Sequence, residues 1–295
     1  VEKAYRKLSI DGCKIIGKGA KGTVYRYSDE IIVKVYNKQV DVEAIQNERK
    51  LAKIAFVYGV PTAISFDIAK VDGDYASVFE LIAAKSITQV FQENHEAISE
   101  YAPKIAELLK QIHSITVKPN ELVDAKLKVY KHINKIAPYL VAGDALKLTK
   151  LVDEVPNDLT MLHNDFHTNN IMLQDNELIL IDMDTLCCGN PIFELANIYI
   201  TYVGFGEVDP KKIENFMDLP LSVCNKIWEQ FIPLYLGTTN KDEITKVENK
   251  VKLLNYIRYL NSALKDSESI YSDQIIELSK AKIHELLNTV DSLAL

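Results

Sequence analysis

The 295-residue sequence is poor in several features that mark whole protein classes. It has four cysteines, Cys13, Cys187, Cys188 and Cys224, and none falls in a C-x-x-C pair or a Cys/His cluster with zinc-like spacing. That pattern excludes a disulfide scaffold and a zinc module, and it points to a reduced, cytoplasmic protein. No apolar run approaches the roughly 20 residues that cross a bilayer, so no membrane span or membrane partner is expected. Val1 to Lys7 are charged and lead into no apolar signal-peptide core, and a chain that opens on Val is expected to have been trimmed. Glycine (11) and proline (9) are too scarce for a collagen-like or low-complexity chain. A cationic excess is missing too: 34 Lys and Arg stand against 41 Asp and Glu, a net charge of −7, which argues against a nucleic-acid partner.

What remains is an ordinary globular composition, 47% hydrophobic and 25% charged, at a length that favours two domains or two lobes. Charge is unevenly spread. Residues 1–90 carry 14 basic and 11 acidic side chains, the rest 20 and 30. Cys13–Ile16, Thr23–Arg26 and Ile31–Tyr36 read as a β-meander, followed by a helix over Val42–Phe56 that stops before Gly59-Val60-Pro61. Two more strands, Ala63–Ala69 and Tyr75–Leu81, flank the turn Asp72-Gly73-Asp74. From about residue 87 the periodicity is helical, over 99–114, 122–137, 251–264 and 273–287. A β-rich island interrupts it at 161–163, 171–173 and 178–182. The two parts are expected to join near Ala83 to Ser86.

Three constellations carry chemistry. Gly17-Lys18-Gly19-Ala20-Lys21-Gly22 is a G-x-G-x-x-G pattern between two strands. That setting does not suit a Rossmann turn or a Walker A loop, and it leaves either a hairpin lying over phosphates or an ordinary flexible turn. Lys34 lies in the third strand, where it reads either as a solvent-facing lysine or as a phosphate ligand held by a carboxylate of the next helix, Glu48 with Glu43 as rival. The strongest signal is His163-Asn164-Asp165-Phe166-His167-Thr168-Asn169-Asn170, followed by Ile181-Asp182-Met183-Asp184. Phosphoryl transfer needs a carboxylate beside the acceptor hydroxyl and oxygen ligands for Mg²⁺; Asp165 suits the first role, Asn170 and Asp182 the second. A zinc site from His163 and His167 is the competing reading, though the segment does not read as a helix. His113 reads as structural, and Cys187-Cys188 has no base beside it.

Together these residues resemble the protein-kinase-like superfamily, and within it the aminoglycoside phosphotransferase and choline kinase branch, over about residues 10–205. The branch pattern H-x-D-x-H-x-x-N, then I-D and a later G-D-P, reads here as His163 to Asn170, Ile181-Asp182 and Gly189-Asn190-Pro191. The resemblance implies a two-lobed α+β protein-kinase-like fold: a small β-rich N-terminal lobe with one helix that binds nucleotide (1–83), and a larger, mainly helical C-terminal lobe for catalysis and substrate (84–295), with Mg-nucleotide in the cleft between them. It implies Asp165 as catalytic base, Asn170 and Asp182 as Mg²⁺ ligands, Lys34 on the α/β-phosphates with Glu48 as its partner, and Gly17, Gly19 and Gly22 over the phosphates. Phe79, Glu80, Leu81 and Ile82 would meet the base. Asp184 would assist the metal or lie behind it.

The implied activity is transfer of the γ-phosphoryl group of ATP or GTP to a hydroxyl of a small polar molecule, with cationic aminoglycosides, choline and amino alcohols among the expected classes. The acceptor is expected to be recognised by the helical region after about residue 191, where Glu194, Glu207, Asp209 and Glu214 are acidic candidates, the sequence not showing which of them face the cleft. The alternatives are a protein or peptide kinase and a non-catalytic nucleotide-binding module. Asn164, Thr168 and Asn169 depart from the branch's Gly, Pro and Gly, Asn190 from its Asp, and no D-F-G or A-P-E segment is present.

Overall fold

The computed structural model describes residues 5–19, 21–82, 84–265 and 272–295. Ala20 of the glycine-rich stretch and Ala83 of the expected junction lie outside the described residues. In chain order the strands are β1 (Arg6–Leu8), β2 (Lys14–Gly19), β3 (Gly22–Arg26), β4 (Ile31–Tyr36), β5 (Ser65–Val71), β6 (Asp74–Glu80), β7 (Lys85–Ser86), β8 (Met161–Leu162), β9 (Ile171–Gln174), β10 (Glu177–Leu180) and β11 (Cys187–Cys188). The α-helices are α1 (Val42–Val57), α2 (Ile87–Glu93), α3 (Ile98–His113), α4 (Ala125–Ile136), α5 (Asp144–Asp153), α6 (Ile192–Tyr199), α7 (Phe205–Val208), α8 (Pro210–Met217), α9 (Leu221–Leu236), α10 (Lys241–Ala263) and α11 (Ser272–Leu286). The expected α+β composition is observed. Among the described residues no helix is long and apolar enough to cross a membrane.

The chain divides into two compact units, residues 1–87 with 170–185, and residues 88–169 with 186–295. The expected division at 83/84 is linear in sequence; the observed one is not. Long-range pairing draws 170–185 into the first unit: β9 pairs antiparallel with β7, and the Leu180 N–H donates to the Pro61 carbonyl at 2.7 Å.

The first unit holds a six-stranded sheet in the order β1-β5-β6-β4-β3-β2, antiparallel except for the β1–β5 pair. Alternation along β4 buries Val33 with Val71 and Ala76 on one face. Tyr36 lies with Ile45 and Ile68 under α1. That helix starts where the Asp41 carboxylate accepts the Ala44 N–H at 2.7 Å, and the chain then turns at Gly59, φ +85°, a left-handed position suited to glycine.

The second unit is helical, with the short pair β8–β11 inside it. Its core is filled by side chains such as Leu109 and Ile112 of α3, Leu195 and Ile198 of α6, and Leu253 and Leu260 of α10, all at most 1% exposed. The sequence pattern caught α3 and α4 to within a few residues and the C-terminal half of α10. The shorter helices from α5 to α8 carry too few turns for periodicity alone to separate them from loop.

Candidate active site

In the first unit, the register of the central strands fixes the position of Lys34. It lies opposite Val24 of β3 and Ser77 of β6, and its ammonium donates to Glu48 Oε1 of α1 at 2.8 Å. Glu48 is 6% exposed, whereas the rival Glu43 points to solvent. The spacing explains the choice: Glu48 sits three residues after the buried Ile45 on the inner face of α1. Lys34 Nζ also lies 3.8 Å from Asp182 Oδ1 and 5.3 Å from the centre of the Tyr36 ring. The Tyr36 hydroxyl shares a 2.9 Å hydrogen bond with Ser77 Oγ, and burial followed by the Glu48 charge pushes its phenol far above the usual tyrosine range. The result is one half-buried ammonium between two carboxylates.

Asp182 follows β10 with φ +62°, a left-handed geometry that Asp tolerates better than most residues. The ladder carries on past the strand ends, because the Ile181 N–H donates to the Asn170 carbonyl at 2.9 Å. Asn170 and Asp182 therefore stand at the same end of the β9–β10 hairpin. Their donor set, one carboxylate and one amide oxygen, suits Mg²⁺, which takes one or two protein ligands and fills its shell with phosphate oxygens and water. Among the described residues no group of three or more His, Cys, Asp or Glu is arranged to hold a metal by itself, so the competing His163/His167 zinc reading finds no third ligand. Asp184 forms an ion pair with Lys21 of the glycine-rich segment.

Gly17 and Gly19 lie on β2 and Gly22 opens β3; none has positive φ. Their need for glycine differs. A Cβ on Gly22 would lie 2.2 Å from the Val35 carbonyl, so neighbouring backbone forbids one, whereas a Cβ on Gly19 would meet nothing within 4 Å. Phe79 and Glu80 end β6, and Leu81 continues the pattern by donating its N–H to the Glu30 carbonyl at 2.8 Å. Phe79, Glu80, Leu81 and Ile82 are all partly exposed.

Asp165 belongs to the second unit, on a loop pinned from behind by one carboxylate. Glu194, in the first turn of α6 and fully buried, accepts the Asn164 N–H at 2.5 Å on Oε1 and the His163 N–H at 3.1 Å on Oε2. His113 Nε2 lies 2.8 Å from Glu194 Oε2, and its Nδ1 lies 2.7 Å from the Tyr235 hydroxyl. The Asp165 N–H turns back to His163 Nδ1 at 3.2 Å. Asn164 takes φ +67°, a left-handed geometry that Asn tolerates better than most non-glycine residues. Thr168 is buried, with its N–H on the Tyr202 hydroxyl at 2.8 Å and its hydroxyl 2.7 Å from that of Thr88. The Asp165 side chain is 43% exposed, with His167 Nε2 3.5 Å from its Oδ2. A partly open carboxylate on a fixed backbone is what a proton acceptor requires.

The four acidic candidates all make hydrogen bonds within the fold. Glu194 is the loop clamp. Glu207 accepts the hydroxyls of Tyr199 and Tyr256 at 2.6 and 2.8 Å, Asp209 caps α8 at the Lys211 N–H, and Glu214 accepts the Leu221 N–H. Cys187 is buried and desolvation pushes its thiol well up, which removes it as a nucleophile.

Residues 12–219 match the model of the phosphotransferase enzyme family (APH). No curated protein sequence matches the chain. Among solved structures it is similar to a thermostable mutant of the aminoglycoside phosphotransferase APH(4)-Ia in ternary complex with AMP-PNP and hygromycin B, at 10% identity and TM-score 0.60 over 95% of this chain and 94% of that one. It is also similar to the GDP and kanamycin complex of APH(2")-IIia, at 11% identity and TM-score 0.58 over 92% and 93%. A choline/ethanolamine kinase family protein from Mesorhizobium loti matches at 15% identity and TM-score 0.58 over 94% and 92%. These likenesses establish a kinase-like fold. With the model covering most of its length and the fold in agreement, the chain belongs to the phosphotransferase enzyme family.

Proposed function

We propose that the protein is a kinase of a small molecule, moving the γ-phosphoryl group of ATP or GTP to an acceptor hydroxyl. The observation that carries this reading is Lys34, held at 2.8 Å by buried Glu48 and at 3.8 Å from Asp182. An ammonium fixed between a buried anchor and a half-exposed carboxylate is the arrangement that positions a nucleotide's phosphates. We assign nucleotide binding to residues 1–83, with Gly17, Gly19 and Gly22 over the phosphates and Phe79, Glu80, Leu81 and Ile82 beside the base. Residues 84–295 are assigned catalysis and acceptor binding. That structural neighbours hold AMP-PNP or GDP supports a purine nucleotide of either kind as donor.

In this mechanism Asp165 orients the acceptor hydroxyl and takes its proton. The hydroxyl oxygen forms a bond to the γ-phosphorus, the bond from phosphorus to the β,γ-bridging oxygen breaks, and the nucleoside diphosphate leaves with that electron pair. Lys34 holds the α/β-phosphates, with Glu48 keeping it from swinging away. Asn170 and Asp182 would hold Mg²⁺, which when bound neutralises phosphate charge. Because positioning and electrostatics do most of the work, the backbone clamp of Glu194 on the Asp165 loop belongs to the machinery as a positioning device.

The test is acceptor-dependent release of ADP or GDP in the presence of Mg²⁺, with Asp165→Ala and Lys34→Ala beside the parent protein. Turnover lost in both variants is expected. Failure of the parent protein to bind either nucleotide in a titration overturns the reading.

A further inference from the structure

We infer that the acceptor carries a negative charge and that a recess lined by Lys128, His132 and Arg258 receives it; this rests on the phosphotransferase reading above. The recess lies wholly within the helical unit and has a cavity volume of about 40 Å³. Val129 of α4, Phe193 and Ala196 of α6, and Leu254 and Ile257 of α10 form its apolar walls. Lys128 and His132 stand one turn apart on α4 and so share a face, while Arg258 comes from α10. Lys128 is exposed at the rim, and His132 and Arg258 are half-buried.

The recess ends at the Asp165 loop. Asn164, which precedes Asp165, is among its lining residues. Arg258 Nη1 donates to Asn197 Oδ1 at 2.5 Å, and Asn197 Nδ2 donates to Asn164 Oδ1 at 2.5 Å and to the Asn164 carbonyl at 3.3 Å. A molecule with its charged end between Lys128 and Arg258 therefore has its other end beside the loop that carries Asp165.

Charge decides the class of molecule. Among the described residues none of Lys128, His132 and Arg258 forms an ion pair with Asp or Glu, in a chain whose net charge is −7. Arg258 spends its recorded hydrogen bond on a neutral amide. Two permanent cations and a histidine drawn together without an ion-paired carboxylate raise the free energy of the folded chain, and a bound anion offsets that cost. The titration behaviour agrees with this crowding. Burial and then the Lys128 charge push His132 down to about 4, and burial and then the Arg258 charge lower Lys128. The carboxylate whose charge reaches both Lys128 and Arg258 is that of Asp165. A polycation would meet like charge here. A carboxylate or a phosphate monoester meets an ammonium and a guanidinium, which bind both groups.

The experiment follows nucleoside diphosphate release with Mg²⁺ and ATP or GTP against three sets of acceptors: hydroxy acids (glycerate, threonate), hydroxyl-bearing phosphate monoesters (glycerol 3-phosphate, ribose 5-phosphate), and cations (kanamycin, choline, ethanolamine). It is repeated with Lys128→Gln, Arg258→Gln and, as control, the exposed Lys131→Gln on the same helix. We expect turnover in one of the two anionic sets, which also tells carboxylate from phosphate. Lys128→Gln and Arg258→Gln should raise the acceptor KM about ten- to a hundredfold, the range for hydrogen bonds to charged groups. The nucleotide KM should hold, and Lys131→Gln should behave like the parent. Lys128 is exposed, so its variant tests the idea even if Arg258→Gln folds poorly. Turnover confined to the cations, anionic turnover indifferent to Lys128→Gln, or no anionic turnover in a protein that still binds ADP or GDP each overturns the acceptor class while leaving the kinase reading standing. Loss of nucleotide binding by the parent protein overturns both.

Discussion

Lys34 and the Lys128–Arg258 pair are cations under opposite regimes. Lys34 has its counter-charge built in, with Glu48 at 2.8 Å and Asp182 at 3.8 Å. Lys128 and Arg258 have a neutral amide, each other and a neutral histidine, with the Asp165 charge in reach but not ion-paired to them. A cation already paired in the fold is held in position and keeps only part of its charge for a ligand. A cation gathered with its like is stored at a cost and recovers it when an anion binds. The first is a positioning device and the second a recognition device.

Five outcomes would break or sharpen this contrast. The largest effect is expected at Asp165, which lies apart from both sets: Asp165→Ala should lower kcat by about 10³-fold, within the span of general-base catalysis, while calorimetric titration with ADP or GDP is unchanged. Next comes Glu194→Ala, which strips the buried His163 N–H and the half-buried Asn164 N–H of their acceptor; at roughly 1–3 kcal/mol per unsatisfied buried group a loss of about 3 kcal/mol is expected, read as a fall in Tm of several degrees. Glu48→Gln should free Lys34 and lower kcat/KM for nucleotide about tenfold; an unchanged value would remove Lys34 from the class of positioned cations.

The fourth outcome concerns pH. His132 titrates near 4 when folded, against about 6.5 when unfolded. The unfolded chain therefore binds more protons between those values, so stability is fully present above pH 6.5 and declines as pH falls toward 4. His132→Gln should flatten part of that decline in thermal melts at pH 4.5 and 7. The smallest effect separates the two regimes most directly. Lys128→Gln should leave Tm level or raise it by about 1 °C, because it relieves like charge, whereas Glu48→Gln should lower Tm.

What the sequence disclosed follows from range. The placement of Lys34 on a central strand, Asp165 on a loop and Asp182 after a hairpin was legible because strand alternation, the D-x-x-x-x-N spacing and the hairpin are local, spanning a few residues each. Glu48 was separable from Glu43 only through the apolar face of α1. The recess was not legible, since Lys128 and Arg258 are 130 positions apart and meet only where α4 and α10 pack together. One signal was present in retrospect: Arg258 is the sole charged residue in the otherwise buried stretch 253–261 of α10. The internal partners of the acidic candidates were not legible either, because composition counts charges without showing which cap a helix, accept a tyrosine hydroxyl or hold a loop amide. Joining of 170–185 to the first unit was equally hidden, as it depends on β7 and Pro61, some 90 to 120 residues upstream.

The Glu194 clamp acts on main chain, not on side chains. It grips the Asp165 loop through backbone amides, so its hold does not depend on which side chains line the recess in front. Substitutions at Lys128, His132 and Phe193 leave the partners of both of those backbone hydrogen bonds unchanged. On the proposed reading, recess variants are therefore expected to change acceptor KM while the position of the Asp165 loop is kept.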